Sequence, residues 1–244
     1  MGDSVKLINA FREDLLRWNR QINLVSRQET EDRLKGLFNQ CAGGVGSILN
    51  HLDFSVEEVP PRPQLFYFDL GSGGGLPGVV WHILFSDQFD EVKSWLVEPR
   101  EKRAWFLKRL NRIPDMPPFG VLHGRWGDVC ISDMEFTGSG AEIPVVVISL
   151  KALYLDDTEV LKGLFGAFSG FHGTFDVIIA RYYPPEQIFD PELEKLLNIP
   201  QKGSQLEMGD SVCTSHGGGV VPLSDPGLGL ASLVLSSYLV SPGD

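Results

Sequence analysis

Apolar residues recur at helical spacing along the N-terminal stretch. The spacings are three and four residues, at Leu7, Phe11, Leu15, Trp18 and Ile22, which predicts an amphipathic helix. Ser26 and Glu29 form the pattern of a capping box and predict a second helix that runs to about residue 37. A third apolar segment precedes the proline-rich stretch 56–64, which predicts a linker. We therefore expect a small N-terminal helical subdomain over residues 1–58.

Strands and helices alternate after this linker. The apolar runs 65–70, 92–97, 119–124 and 175–181 predict strands, and the segments 78–85 and 101–112 predict helices. This alternation is typical of an α/β fold with a mostly parallel central sheet flanked by helices, which we expect over residues 64–244. Ligands of such sheets bind at the carboxyl ends of the strands.

Two regions of the second domain depart from this alternation. Residues 129–174 are longer than a crossover needs, and we interpret them as an insertion. The apolar run 143–155 inside it is either an extra strand or a helix. From residue 201 onward the chain is rich in glycine and serine, and the apolar run 230–240 predicts the last strand or strands.

Composition narrows the class of protein. The chain has 244 residues, of which 43% are apolar, so it can bury a sizeable core as one globular unit. No apolar run reaches the ~20 residues of a membrane span, and the N-terminus lacks a signal-peptide pattern, so we expect a cytoplasmic protein. Cys41, Cys130 and Cys213 lie far apart and the five histidines are scattered, so we expect neither a disulfide framework nor a metal site.

Charge is distributed unevenly along the chain. The formal net charge of −11 is unfavourable for binding nucleic acid, because phosphate contacts supply most of that affinity. Residues 98–112 nevertheless concentrate basic side chains, at Arg100, Lys102, Arg103, Lys108, Arg109 and Arg112, against Glu98 and Glu101. This basic stretch is either an ordinary solvated helix face or a surface that binds a polyanion.

Glycines follow the first strand directly, where a bare backbone allows a ligand to approach and the next helix offers free N–H groups. The dinucleotide-binding pattern GxGxxG fits Gly73, Gly75 and Gly78, but it begins two residues late. The pattern acid-x-G-x-G-x-G fits Asp69, Gly71, Gly73 and Gly75. This second pattern opens S-adenosylmethionine-dependent methyltransferases, whose donor carries an amino-acid head group that a carboxylate can orient. We therefore favour S-adenosylmethionine over NAD.

Polar residues also mark the ends of the next two strands. Glu98 lies twenty residues beyond Gly78, where a carboxylate would accept hydrogen bonds from both ribose hydroxyls. The alternative is an ordinary exposed glutamate at a strand end. The third strand ends in a turn, Arg125–Asp128, where an adenine would lie against the backbone, and His123 is better explained as a structural residue.

Five sequence blocks together resemble one protein family. They are WNRQINLVS (18–26), FDLGSGGGLPG (68–78), EPREKRAWFL (98–107), LHGRWGD (122–128) and FDVIIAR (175–181). In this order they resemble the bacterial 16S ribosomal RNA guanine-N7 methyltransferase of the small subunit, also called glucose-inhibited division protein B. The resemblance implies a Rossmann-like class I methyltransferase fold behind the N-terminal helices, with S-adenosyl-L-methionine as the methyl donor.

The resemblance also implies roles for individual residues. The donor would be lined by Asp69, Gly71, Ser72, Gly73, Gly75, Leu76, Gly78, Glu98, Arg125, Trp126, Gly127 and Asp128. The RNA would be bound by Asn23, Lys102, Arg103 and Arg181. For Arg181 the alternative is a salt bridge at the end of its strand.

The implied acceptor, guanine N7, shapes the expected chemistry. This nitrogen is an unprotonated lone pair at neutral pH, so we expect no catalytic acid–base residue, and orientation of the reactants can suffice. The expected partner is 16S rRNA or the small ribosomal subunit. Two alternatives stay open: a methyltransferase acting on another RNA or a small molecule, and a non-catalytic or dinucleotide-binding Rossmann domain.

Overall fold

A computed structural model describes residues 2–26, 31–52, 64–131, 143–151, 153–167, 173–183, 201–225 and 229–242. The helices are α1 (Gly2–Asn19), α2 (Glu31–His51), α3 (Gly78–Ser86), α4 (Glu101–Leu110) and α5 (Asp157–Ala167). The strands are β1 (Leu65–Leu70), β2 (Val92–Val97), β3 (Gly120–Leu122), β4 (Val145–Lys151), β5 (Phe175–Tyr183), β6 (Gln205–Met208), β7 (Ser211–Asp225) and β8 (Gly229–Pro242).

The eight described strands form one sheet in the order β3-β2-β1-β4-β5-β8-β7-β6. The first five are parallel to one another, and β8, β7 and β6 are antiparallel additions at one side. This arrangement confirms the predicted Rossmann-like α/β class. The carboxyl ends of β1, β2 and β4 lie side by side at one edge of the sheet, because parallel neighbours run in the same direction.

The hydrophobic core lies in two layers, one on each face of the sheet. On β1, Leu65 and Tyr67 pack in the layer that contains α1 to α4, whereas Phe66, Phe68 and Leu70 pack in the layer of α5. Successive side chains of a strand point to opposite faces, so a central strand must be apolar on both. All six residues of β1 are buried, which explains why every one of them except Asp69 is apolar.

The N-terminal helices share the first layer with the sheet. Trp81 of α3 donates from Nε1 to the carbonyl oxygen of Cys41 in α2, at 2.7 Å. Gly44 of α2 permits this contact, because a Cβ there would lie 2.7 Å from the Trp81 ring. Helix α2 therefore packs directly on α3, and the helical subdomain over residues 1–58 stays a prediction, because its boundary lies outside the described residues, which omit 53–63.

One helix replaces the second predicted helix and the apolar segment after it. Helix α2 runs without a break for 21 residues, and its buried positions continue the apolar face to Leu49. The expected capping box rests on Glu29, which lies outside the described residues.

Strand β4 occupies the centre of the sheet. It pairs with β1 on one side and β5 on the other, and Ser149 lies directly beside Asp69. This placement corrects the interpretation of residues 129–174 as an insertion, because β4 and α5 form a regular strand–helix unit of the sheet. The apolar run 143–155 could not be assigned to a strand or a helix from sequence, because a strand buried on both faces shows no alternation of apolar and polar residues. Residues 132–142 and 168–172 lie outside the described ranges.

The last part of the chain forms a long antiparallel hairpin. The predicted terminal strand is confirmed as β8, which pairs with β5, and β7 pairs along nearly the whole of β8. The glycine- and serine-rich stretch is therefore largely strand β7. Its register shifts between Ser215 and Gly217, where Gly217 has a φ of +97°.

Candidate functional site

The glycine loop joins β1 to α3 and needs its glycines for two different reasons. Gly71, Gly73 and Gly75 have φ values of +71°, +54° and +88°, which residues other than glycine rarely adopt. Gly78 is required by a close approach instead, because a Cβ there would lie 2.3 Å from Oδ2 of Asp69. The loop is therefore folded back over the end of β1, with its backbone exposed at Gly71.

Asp69 is the buried acid beneath this loop. Its Oδ1 accepts a hydrogen bond from Ser149 Oγ at 2.6 Å, and Ser149 Oγ also lies 2.8 Å from the hydroxyl of Tyr67. Its Oδ2 is buried and has no hydrogen-bond partner among the described residues. Burial raises the pKa of Asp69 to about 6, although the hydrogen bond from Ser149 acts in the opposite direction. The carboxylate is thus held in place on one side and unsatisfied on the other.

Glu98 fastens the loop to the end of β2. Its Oε2 accepts from the backbone N–H of Gly73 at 2.7 Å, and its Oε1 accepts from the backbone N–H of Arg100 at 2.8 Å. The side chain is only 2% exposed, so it is not the ordinary surface glutamate of the alternative interpretation. Its expected contact with ribose hydroxyls stays a prediction, and the structure adds a role as a clamp between the loop and the start of α4.

The turn after β3 has the expected shape, with the backbone N–H of Asp128 donating to the carbonyl of Arg125 at 3.1 Å. Gly127 takes the left-handed conformation that this turn needs, with a φ of +94°. Trp126 points toward α5, where its Nε1 donates to the carbonyl of Val160 at 2.9 Å. Trp126 therefore anchors the turn to the layer that contains α5. Contact of residues 125–128 with an adenine stays a prediction.

Two predicted RNA-binding residues lie together beside the glycine loop. Arg103 donates from Nε and Nη2 to the carbonyl oxygen of Asn23, at 3.0 and 2.7 Å. Nη1 of Arg103 lies 3.6 Å from the position of a Cβ on Gly73. Lys102, its neighbour on α4, is exposed. Arg103 thus connects the segment after α1, helix α4 and the loop.

Arg181 is placed differently from the other predicted RNA-binding residues. It lies near the carboxyl end of β5, is 6% exposed, and forms an ion pair with Asp157 at 2.6 Å between Nη1 and Oδ1. Its Nη2 also donates to the carbonyl of Leu155 at 2.9 Å. This geometry matches the salt bridge considered as the alternative from sequence. Asp157 in turn accepts from the hydroxyl of Tyr238.

Sequence reasoning missed two residues that shape the site. Ser149 was not recognised because its strand was not assigned, so nothing placed it beside Asp69. Asn19 ends α1, and its Oδ1 accepts from the backbone N–H groups of Leu24 and Val25, at 2.9 and 3.0 Å. An asparagine at a helix end is a recognisable signal for such a turn. The carbonyl oxygen of Leu24 lies 3.0 Å from the position of a Cβ on Gly74, so this turn forms one wall of the loop.

Neither a metal-binding cluster nor a membrane-spanning helix occurs in the described ranges. Within them, no cluster of three or more His, Cys, Asp or Glu side chains is arranged to hold a metal ion. No helix among them combines the length and apolar character needed to cross a membrane.

Comparisons with known proteins single out one family. The family model of rRNA small subunit methyltransferase G (GidB) matches residues 4–138, more than half of the chain. The ribosomal RNA small subunit methyltransferase G of Nitratidesulfovibrio vulgaris (strain DP4) is 32% identical over 121 residues, which cover 50% of this chain and 50% of that protein. The protein of the same name from Lawsonia intracellularis is 31% identical over 134 residues, covering 53% of this chain and 56% of that protein.

These matches are partial. The chain spans about half the length of the curated relatives it matches. Among solved structures, MtNAS in complex with MTA and tNA has a TM-score of 0.47 and 13% identity, covering 98% of this chain and 70% of that one. The fold assignment therefore rests on the strand order and not on this similarity.

Proposed function

We propose that this chain, which belongs to the rRNA small subunit methyltransferase G family, transfers a methyl group from S-adenosylmethionine to N7 of a guanine in small-subunit rRNA. The observation that carries the proposal is the glycine loop, clamped by Glu98 and closed over Asp69. Both carboxylates and the whole loop lie inside the stretch that matches the family. An rRNA acceptor places the activity in the cytoplasm, on 16S rRNA or the small ribosomal subunit.

The residues at the loop fit this methyl donor. Within the part of the chain that the structure describes, Asp69 Oδ2 is a buried acceptor without a partner, which suits a ligand that brings a cationic amino group to this end of the sheet. Loop glycines with positive φ leave the backbone bare, as close approach of a ligand requires. Asp69, the loop and Glu98 would hold the donor. When bound, S-adenosylmethionine supplies a methyl group activated by its sulfonium centre.

The proposed chemistry asks little of the protein beyond positioning. Guanine N7 attacks with its own lone pair, so no side chain has to remove a proton. Holding the two reactants in line can contribute ~7–11 kcal/mol by itself. Asn23 and Arg103 meet beside the loop, and exposed Lys102 follows on α4, so these residues are placed to hold the acceptor next to the donor.

A different acceptor is the second candidate function. The family match ends at residue 138, before β4, which lies beside β1, and before β5, which lies beside β4. Arg181, which was expected to contact RNA, is instead engaged with Asp157 and Leu155. The part of the acceptor side formed by β4 and β5 thus lies outside the family match, which favours a methyltransferase with another RNA or a small molecule as its substrate.

A methyl-transfer assay separates these candidates. Labelled S-adenosylmethionine would be incubated with the protein and naked 16S rRNA, 30S particles or tRNA in parallel, and N7-methylguanine would be mapped by strand cleavage. Label at a guanine N7 of 16S rRNA is expected. Label only in tRNA supports the second candidate, and donor binding without transfer to any RNA would refute the rRNA proposal. Glu98→Ala should abolish most transfer, whereas Glu207→Ala, at an exposed glutamate of β6, should not.

A further inference from the structure

Helix α4 presents an aromatic side chain between two basic ones on a single side. Lys102, Trp105 and Arg109 are separated by three and four residues, so they follow one another along the helix surface. The opposite side of α4 is buried through Ala104 and Leu107. We call the side formed by Lys102, Trp105 and Arg109 the α4 face. Trp105 is 48% exposed, which is a large apolar surface for a helix to leave uncovered.

The neighbouring helix holds this tryptophan in position. The rings of Trp18 on α1 and Trp105 lie 4.9 Å apart in an edge-to-face arrangement, at an interplanar angle of 71°. The guanidinium of Arg109 lies 5.1 Å from the Trp18 ring centre. Its Nε is buried and lies 3.7 Å from Asp14 Oδ2, which is too long for a hydrogen bond, while 28% of the Arg109 side chain stays exposed. Trp105 is thus fixed at one edge while about half of its surface stays open.

Charge around the α4 face is predominantly positive. Arg100, Lys102, Lys108 and Arg112 are exposed, and among the described residues none of these four side chains has a carboxylate partner. Acids on the two helices include Glu101 on α4 and Asp14 on α1, which lies 3.7 Å from Arg109 Nε. A chain with a net charge of −11 therefore concentrates unpaired cations around an open indole. Alternating cations and aromatic rings suit a strand of nucleotides, which offers phosphates and base faces at regular intervals.

We propose that the α4 face binds a single-stranded RNA segment, with one base stacked on Trp105 and the flanking phosphates held by Lys102 and Arg109. This inference rests on the proposed function, whose RNA acceptor it extends beyond the target base. The face adjoins the donor site, because Arg103 on the same helix reaches to within 3.6 Å of the Cβ position of Gly73. RNA held on the α4 face would continue toward the glycine loop.

Binding of a short, fluorescently labelled single-stranded RNA tests this proposal. Trp105→Ala should weaken binding about tenfold, equivalent to ~1.4 kcal/mol, since the stacking surface is lost. Trp105→Phe should retain most of the affinity, because a ring remains. Val220→Ala removes a similarly exposed apolar side chain from β7 and should have no effect. Lys102→Gln should reduce the salt dependence of binding, whereas Lys202→Gln should not.

The intrinsic fluorescence of the protein gives a second measurement. RNA should quench the wild type more than Trp105→Phe. Equal RNA affinity for the wild type and Trp105→Ala, with both variants folded, would overturn the inference even if rRNA is methylated. Equally strong competition by a polyglutamate peptide would also overturn it, because the face would then recognise charge alone. Absence of methyl transfer to any RNA, with intact Trp105-dependent binding, would instead count against the proposed function.

Discussion

Replacing Ser149 by alanine tests the arrangement beneath the glycine loop directly. Ser149→Ala removes the hydroxyl that lies 2.6 Å from Asp69 Oδ1 and 2.8 Å from the Tyr67 hydroxyl. Because Asp69 Oδ2 already lacks a partner, the variant leaves the carboxylate without a donor from the neighbouring strand. The side chain of Ser149 is only 1% exposed, so water cannot readily replace it.

The size of the effect follows from the strength of the lost bond. A hydrogen bond to a charged group contributes ~1.5–3 kcal/mol, and each pKa unit corresponds to ~1.36 kcal/mol. The pKa of Asp69, which burial raises to about 6 in the wild type, should therefore rise further by ~1–2 in the variant. A smaller fraction of Asp69 would then be ionised at neutral pH. Donor affinity at neutral pH should fall accordingly, since the proposed amino-group partner needs the carboxylate form.

Calorimetric titration with S-adenosylmethionine over a series of pH values measures this change. The midpoint of the pH dependence should move upward by ~1 pH unit or more in Ser149→Ala. Ser237→Ala removes a comparably buried serine from β8 and serves as the matched control. Carbon-13 NMR of the aspartate carboxyls follows the same pKa without any ligand. An unchanged midpoint and an unchanged carboxyl titration would refute the assigned role of Ser149.

Three further outcomes follow from the same geometry. Gly78→Ala should lower the free energy of unfolding in urea by ~1–3 kcal/mol, because its Cβ would lie 2.3 Å from Asp69 Oδ2. In the control Gly46→Ala the new Cβ has nothing within 4 Å, so this variant should be more stable by ~0.5–1 kcal/mol. Similar free energies for both variants would contradict the contact at Gly78. Glu98→Ala should weaken donor binding by ~1.5–3 kcal/mol in calorimetry, since the loop loses its acceptor, and unchanged affinity would show that the clamp is dispensable. His82→Gln removes a contribution to stability that rises with pH between about 4 and 6.5, so the free energy of unfolding of the variant should fall as pH rises through this range, and a wild-type pH profile in the variant would rule out the contribution of His82.

The proposed donor side of the site was largely predictable from local sequence. β1, the glycine loop and α3 are consecutive in the chain, so the pattern from Asp69 to Gly78 already contains the turn conformations that the structure shows. The positions of Glu98 and of the turn after β3 followed from strand ends alone. Sequence could not show that Glu98 is buried and clamps Gly73, because that contact joins two loops 25 residues apart.

The parts that sequence could not predict depend on pairing between distant segments. The apolar run of β4 gave no periodicity to separate strand from helix, so its position beside β1 and the contact between Ser149 and Asp69 stayed hidden. The partner of Arg181 was equally hidden, since Asp157 belongs to a helix that had not been assigned. In both cases the partner belongs to an element that local sequence did not assign, strand β4 for Ser149 and helix α5 for Asp157.

Two buried groups near the loop respond to pH in opposite directions. Burial lowers the pKa of His82, whose ring is held by Ser94 and by the carbonyl of Pro117, to about 4. Its contribution to stability is full above its unfolded pKa, near 6.5, and is lost as pH falls through about 4. Burial raises the pKa of Asp69 to about 6. Its contribution to stability is full below its unfolded pKa, near 3.8, and is lost as pH rises through about 6. The two contributions largely offset each other between these limits. The free energy of unfolding of the wild type should therefore change little with pH in this range. In His82→Gln it should decrease with rising pH, because only the contribution of Asp69 remains.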